Sequence, residues 1–247
     1  MTPYFAALSF INIFTLVMLI IDFIGNTIIS PFQKRNLVAT CIMILLICIS
    51  EVFTTILDGT SVKYRFYHIL ANFVGFSLVP GIYYTLMRAM FPKKNKMFDL
   101  FLIIWIVFVI FMLVCLLIGT EHGIFYVDEY NTYFRGREFF LFIIVYSLGT
   151  ICFFFENLYI SLRFWKRTNI LLILNFLFIL FATFVQIIFP GIQVSWTCII
   201  ISILVYYLYF ETLYQQMDTQ TYLLNYTSLK NWKKHQKKTV VIIIGRT

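Results

Sequence analysis

Seven stretches of this chain are long enough and apolar enough to cross a hydrocarbon core, and no other property limits its fold as tightly. A bilayer is crossed by about 20 mostly apolar residues at a rise of about 1.5 Å each. The stretches run from Phe5 to Ile29, Leu37 to Leu57, Phe66 to Met90, Phe98 to Ile118, Phe139 to Leu162, Asn169 to Phe189 and Val194 to Tyr214. Inside lipid the backbone has to satisfy its own N–H and C=O groups, so apolar runs of this length become helices. The expected fold is an all-α membrane protein, a bundle of seven transmembrane helices. Pro80 and Gly81 fall near the middle of the third run. They predict a kink, tolerated where a neighbouring helix satisfies the freed carbonyl.

Composition excludes the other classes. Of 247 residues 61% are hydrophobic and 12% charged, whereas soluble domains carry about 25% charged residues. All five cysteines lie inside apolar runs, which reads as packed free thiols and not as a disulfide framework. The start, Met1-Thr2-Pro3-Tyr4-Phe5, has no basic n-region, and the run after it is too long for a signal peptide, so a retained spanning helix is expected.

The net charge of +8 raises the question of nucleic acid, and the placement of the cations answers it. The first, third and fifth connections carry Lys34, Arg35, Lys93, Lys94, Lys96, Arg163, Lys166 and Arg167, and the tail adds a lysine-rich run. The second, fourth and sixth carry Lys63, Arg65, Arg135 and Arg137. Eight cations against four predict an N-terminus outside and a C-terminus in the cytoplasm, with lipid and no nucleic acid as partner.

One connection on the outer side is long. Its segment 123–136, Gly-Ile-Phe-Tyr-Val-Asp-Glu-Tyr-Asn-Thr-Tyr-Phe-Arg-Gly, places two aromatic and β-branched runs around a polar turn, which predicts a β-hairpin over the helix ends. After the seventh run the composition changes. Residues 215–247 read as a short polar helix with Asp218 as a possible N-cap, then one apolar strand from Thr239 to Ile244. Such a piece cannot enclose a core of its own. The chain therefore divides into a membrane region, 1–214, and an appended segment, 215–247.

Ionisable and amide groups at membrane depth need a partner or a function. Glu51, His68, Asn72 and Gln186, with Asn12, fall in the outer halves of their runs. They are candidates for a small polar ligand pocket under the hairpin, or for interhelical hydrogen bonds and water contact near the interface. Asp22, Arg88 and Glu156, with Asn157 and Glu211, fall in the inner halves. Arg88 is placed to pair with Asp22 or Glu156, as a static ion pair or as one that changes register. Tyr206, Tyr207, Tyr209 and Tyr214 read as an inner aromatic belt. No His-Glu-x-x-His, Cys-x-x-Cys, Gly-x-Ser-x-Gly or phosphate-loop pattern occurs, so no catalytic residue and no metal site are expected.

Two sets of residues carry a resemblance to a known family. Asp218, Thr221, Leu223 and Asn225 match the D-x-L-T-x-L-x-N stretch that opens GGDEF diguanylate cyclase domains, while Gln220, Tyr222 and Tyr226 depart from that family's usual Leu, Gly and Arg. Upstream, Leu57-Asp58-Gly59, the 123–136 hairpin and Gln186-Ile187-Ile188-Phe189-Pro190-Gly191 resemble the seven-helix sensor region found ahead of GGDEF and histidine kinase domains. The resemblance implies a multi-pass sensor in the bacterial inner membrane that takes an unknown small ligand or stimulus. It implies a homodimer, since cyclic di-GMP synthesis from two GTP brings two active sites together.

Mg and GTP would serve an intact GGDEF domain. Here the aspartate-bearing strand end and the Gly-Gly-Asp/Glu-Glu-Phe turn are absent, so this chain is expected to need no cofactor and to make no cyclic di-GMP itself, as a fragment, a frameshifted copy or a partial record would. The seventh helix, Glu211 and the segment to Asn225 would form the coupling linker. Two other readings are a histidine kinase sensor, for which His235 is the one histidine in the tail, and a small transporter or channel using the polar clusters.

Overall fold

The computed structural model describes residues 3–90, 96–118, 123–163, 166–188 and 194–215, with the side chains at 160–171, 183, 186–187, 210 and 213–215 left aside. Its elements are α1 (Pro3–Gly25), α2 (Pro31–Leu57), a 3-10 turn (Val62–Tyr64), α3 (Arg65–Met90), α4 (Lys96–Ile118), β1 (Phe125–Val127), β2 (Tyr133–Arg135), α5 (Phe139–Arg163), α6 (Lys166–Ile188) and α7 (Ser195–Gln215). Among the described residues, five helical stretches are long and apolar enough to cross a membrane: α1, α2, Val62–Met90, α4 and Phe139–Tyr159. Apolar stretches also mark α6, at Leu172–Ala182, and α7, at Ser195–Tyr209. The architecture is that of a mostly helical membrane protein with one small two-stranded sheet.

Several helices begin earlier than hydropathy places them, because capping and not apolarity sets a helix end. Ser30 Oγ accepts the Gln33 N–H at 3.3 Å, and Pro31 occupies the first helical position, where its missing N–H costs nothing. Lys34 and Arg35 therefore belong to the first turns of α2, and Lys96 opens α4.

The exposure pattern is that of a bundle set in an apolar medium. α1 leaves Phe10, Phe14 and Ile21 uncovered and α4 leaves Ile103, Val107 and Ile110 uncovered. Large apolar faces of this kind are what a lipid-facing helix presents. The buried interior forms one large cluster spanning α1 to α7, with Leu16, Ile44, Met87, Phe101, Phe153 and Ile203 among its members. A smaller cluster, Phe108, Met112, Ile124, Phe125, Val127 and Val145, lies beneath the sheet. Polar contacts also join the helices. The Thr40 and Thr85 hydroxyls meet at 2.7 Å between α2 and α3, and those of Tyr83 and Thr150 meet at 3.0 Å between α3 and α5.

The expected weak point of α3 is built into a joint. The helix runs through Pro80 without interruption from Arg65 to Met90. Trp105 of α4 donates its indole N–H to the Ser77 carbonyl at 2.7 Å, beside the rung that the proline removes. Gly81 makes the notch for that indole, since a Cβ there would run into the Trp105 ring and approach Met43 Sδ to 3.0 Å. Gly81→Ala is expected to cost about 1–3 kcal/mol through overpacking, read as a lowered thermal transition of the purified protein in detergent. Gly75→Ala, where a Cβ meets nothing within 4 Å, is expected to leave the transition unchanged or slightly raised.

Candidate functional site

The sheet is a hairpin held in place by its tip. β1 and β2 pair antiparallel with Phe125 opposite Arg135, Tyr126 opposite Phe134 and Val127 opposite Tyr133. Alternation divides the faces. Phe125 and Val127 are buried in the small cluster, with Phe125 stacked on Phe76 of α3 at 5.6 Å, whereas Tyr126 and Phe134 stack on the other face at 5.2 Å. Between the strands, Asp128 Oδ1 accepts the N–H groups of Tyr130 and Thr132 at 3.0 and 2.7 Å. This Asx-type turn throws Asn131 into the left-handed region at φ 62°, which asparagine tolerates better than other side chains.

Asn131 is fully buried and enters the connection between α2 and α3. Its Nδ2 donates to the Leu57 carbonyl at 2.7 Å and to Thr60 Oγ1 at 3.1 Å. Leu57 is the last residue of α2 and its carbonyl is one that the helix cannot satisfy itself. The Asn131 carbonyl accepts the Gly59 N–H at 3.0 Å, with Gly59 at φ +68°, a conformation natural to glycine. Around this peg Asp58 Oδ1 accepts the Tyr133 N–H at 2.9 Å, and Arg65 donates from Nε and Nη2 to the Val127 carbonyl at 3.1 and 2.7 Å. The His68 ring meets Asn131 Oδ1 through Nδ1 at 3.1 Å. Burial raises the Tyr133 phenol, against the neighbouring Arg135, which keeps it a neutral group on the hairpin.

At the base of the hairpin Gly136 N–H bonds to the Ile124 carbonyl at 2.9 Å. A Cβ on Gly136 would collide with the Gly123 carbonyl. The hairpin is thus a cap that ties the end of α2 to the start of α3.

A second set of polar contacts holds α7. On the hairpin side, Trp196 Nε1 donates to Glu51 Oε1 at 2.6 Å and Thr197 Oγ1 to Asn12 Oδ1 at 2.9 Å. Toward the other end, Asn26 Nδ2 donates to the Tyr207 hydroxyl at 2.7 Å, and Tyr206 donates to Asn157 Oδ1 at 2.7 Å. Asn175 Nδ2 reaches the Ser202 carbonyl at 3.3 Å. α7 is therefore gripped by α1 and α2 at one end and by α1, α5 and α6 farther along.

The residues expected to share one pocket have separate partners. Glu51 serves Trp196, His68 serves Asn131, and Asn72, also buried, donates to the His68 carbonyl in its own helix at 3.0 Å. The Gln186 side chain lies outside the described residues.

The expected pairing of Asp22, Arg88 and Glu156 is not made among the described residues. Arg88 lies over the Phe32 ring at 4.8 Å, Asp22 lies beside the Tyr207 hydroxyl, and both oxygens of the buried Glu156 lack a hydrogen-bond partner. The two charges placed to pair are taken up elsewhere, Arg88 by the Phe32 ring and Asp22 by the Tyr207 hydroxyl. Tyr206, Tyr207 and Tyr209 are buried at 1, 6 and 5% exposure, so they are packing and bonding groups and not a lipid-facing belt. Glu211 is half-buried near the end of α7. Asp218, Thr221, Leu223 and Asn225 fall outside the described residues.

Single-chain reading passed over Asn131, Arg65 and Trp196. The Asp58-Gly59 pair and the lone amide at a hairpin tip were the available signals for the first. No group of three metal-ligating side chains occurs among the described residues.

Asn131→Ala is expected to leave the buried His68 ring unpartnered, at about 1–3 kcal/mol, while the Leu57 carbonyl keeps the Thr60 N–H at 3.1 Å and the Thr60 hydroxyl at 2.6 Å. The measurement is hydrogen exchange, with the amides of Gly59 and 131–133 losing protection while those of α2 and α4 keep theirs. Comparison of the chain with family models, curated proteins and solved structures finds no match.

Proposed function

We propose that the chain is the membrane-embedded input region of a bacterial signalling protein, similar to the seven-helix regions that precede GGDEF diguanylate cyclase domains. In this reading all seven helices cross the inner membrane, the hairpin faces outward and the end of α7 faces the cytoplasm, in keeping with the eight-to-four division of cations. A stimulus or small ligand at the cap shifts the helices, and α7 passes the shift through Glu211 and the segment to Asn225 toward an output domain. The region carries out no reaction of its own and takes no cofactor. Mg and GTP would belong to an intact output domain, and pairing of two copies would bring two such domains together.

One observation carries the reading. Two of the three membrane-region segments that bear the family resemblance, Leu57–Gly59 and the 123–136 hairpin, are bonded to each other through Asn131 and Asp58. Residues far apart in the chain and alike for no reason of apolarity have a common physical role in building the cap. The long, polar-gripped α7 adds a rigid element, since a helix transmits a displacement that a flexible loop would dissipate. A transporter is the second reading, drawn from Glu156, whose buried and unpartnered carboxyl is of the kind found along ion pathways. Glu156-dependent ion flux in liposomes would favour it.

Orientation and coupling are tested separately. A protease site placed at Tyr130, 79% exposed, is expected to be cut on intact cells while a tag after Thr247 stays protected; the opposite pattern would reverse the orientation. A flexible Gly-Ser insert after Tyr214, in a form that carries an output domain, is expected to abolish the response to stimulus and leave basal output. An unchanged response would refute transmission through α7.

A further inference from the structure

The hydrogen-bond pattern fixes which nitrogen of His68 carries the proton. The Asn131 atom facing the Leu57 carbonyl must be the amide nitrogen, because a carbonyl only accepts, so the atom facing His68 is Oδ1. His68 Nδ1 must then be the donor, and in the neutral ring Nε2 is a bare acceptor. That atom is fully buried and has no partner. A second proton on the ring would place a charge and an unmatched N–H in the joint that closes the cap, and a buried unpaired charge is among the costliest defects a fold can hold.

The charged neighbours do not relieve that cost. On the α2–α3 connection, Asp58 is engaged by the Tyr133 N–H, Arg65 by the Val127 carbonyl, and Lys63 lies over the Tyr64 ring. On the hairpin, Asp128 is engaged by its own turn, Arg135 lies over Phe139, and Glu129 is exposed. Glu51 of α2 is engaged by Trp196, and Glu138, at the head of α5, faces Cys115 of α4. None is hydrogen-bonded to Nε2.

We propose that His68 is an acid-sensitive latch, so that uptake of a proton by its ring releases Asn131 and loosens the hairpin cap from the α2–α3 connection. The proton is then the stimulus of the input region, and to that extent the inference rests on the function proposed above. The sign follows from the geometry: the cap is closed with neutral His68 and opens as pH falls.

Hydrogen exchange on the whole chain in lipid nanodiscs tests the latch, with rates corrected for the intrinsic effect of pH. Between about pH 7.5 and about pH 5.5 the amides of Gly59 and 131–133 are expected to lose protection about tenfold. His68→Gln, neutral throughout, is expected to remove that response.

A wild-type cap indifferent to acid overturns the latch, as does an equal response in His68→Gln. Should His68→Gln not fold, Asp58→Asn decides, because the acid response must survive in it; loss there assigns the effect to Asp58. The readout needs no output domain. A cap that opens in acid while the output of a full-length form stays constant would therefore fail the input-region reading and leave the latch standing.

Discussion

The side chain of Asn131 makes bonds that no helix in this bundle can make for itself. Helix ends expose carbonyl and amide groups, and apolar surroundings make each unsatisfied group costly. The Leu57 carbonyl, the Gly59 amide and the His68 ring are all met by one buried residue. Its left-handed backbone, set by Asp128, makes the reach possible. Remove its side chain and the hairpin keeps its apolar underside and its bonds to Asp58 and Arg65 but loses the buried contact with His68.

From the cap the chain of contacts continues inward. Phe76 of α3 lies against Phe125 of β1, and Trp105 of α4 fits the notch at Gly81. Tyr83 of α3 lies against the ring of Tyr146 at 5.5 Å and meets the hydroxyl of Thr150, both on α5. Gly149 gives that aromatic cluster room, since a Cβ there would come within 2.8 Å of the Tyr83 ring. Packed aromatics that fill their space leave few alternative arrangements, so a displacement of the hairpin has a route through α3 into α5. α7 is the last helix on that route, touched by α5 at Tyr206 and by α1 at Tyr207.

Hydropathy made the helical class legible because a spanning run needs only length and apolarity, and both are local properties. The hairpin was legible for a similar reason, since alternation at 125–127 and 133–135 flanks a turn rich in Asp and Asn. Helix starts were less so: Ser30 and Pro31 set the start of α2, and capping chemistry is silent in an apolar average. The site was least legible of all. Glu51, His68 and Asn72 stand near one level of the bundle, yet which neighbour each side chain meets depends on helix phase and crossing, which no single run specifies. The same limit applies to Arg88, which meets the Phe32 ring in place of a carboxylate, and to Tyr206, amphipathic enough for an interface but buried in the core.

The adjacency of Tyr206 and Tyr207 restricts how α7 can move. Neighbouring residues on a helix point about 100° apart, so one tyrosine is moored to Asn157 on α5 and the other to Asn26, the residue after α1, in different directions. Sliding α7 along its axis strains both moorings together. Turning it about that axis swings both tyrosines as well, so rotation strains the same two bonds. Tyr206 and Tyr207 together therefore act as a bearing that fixes α7 at this level, and freeing the helix as a rigid rod requires both bonds to be given up.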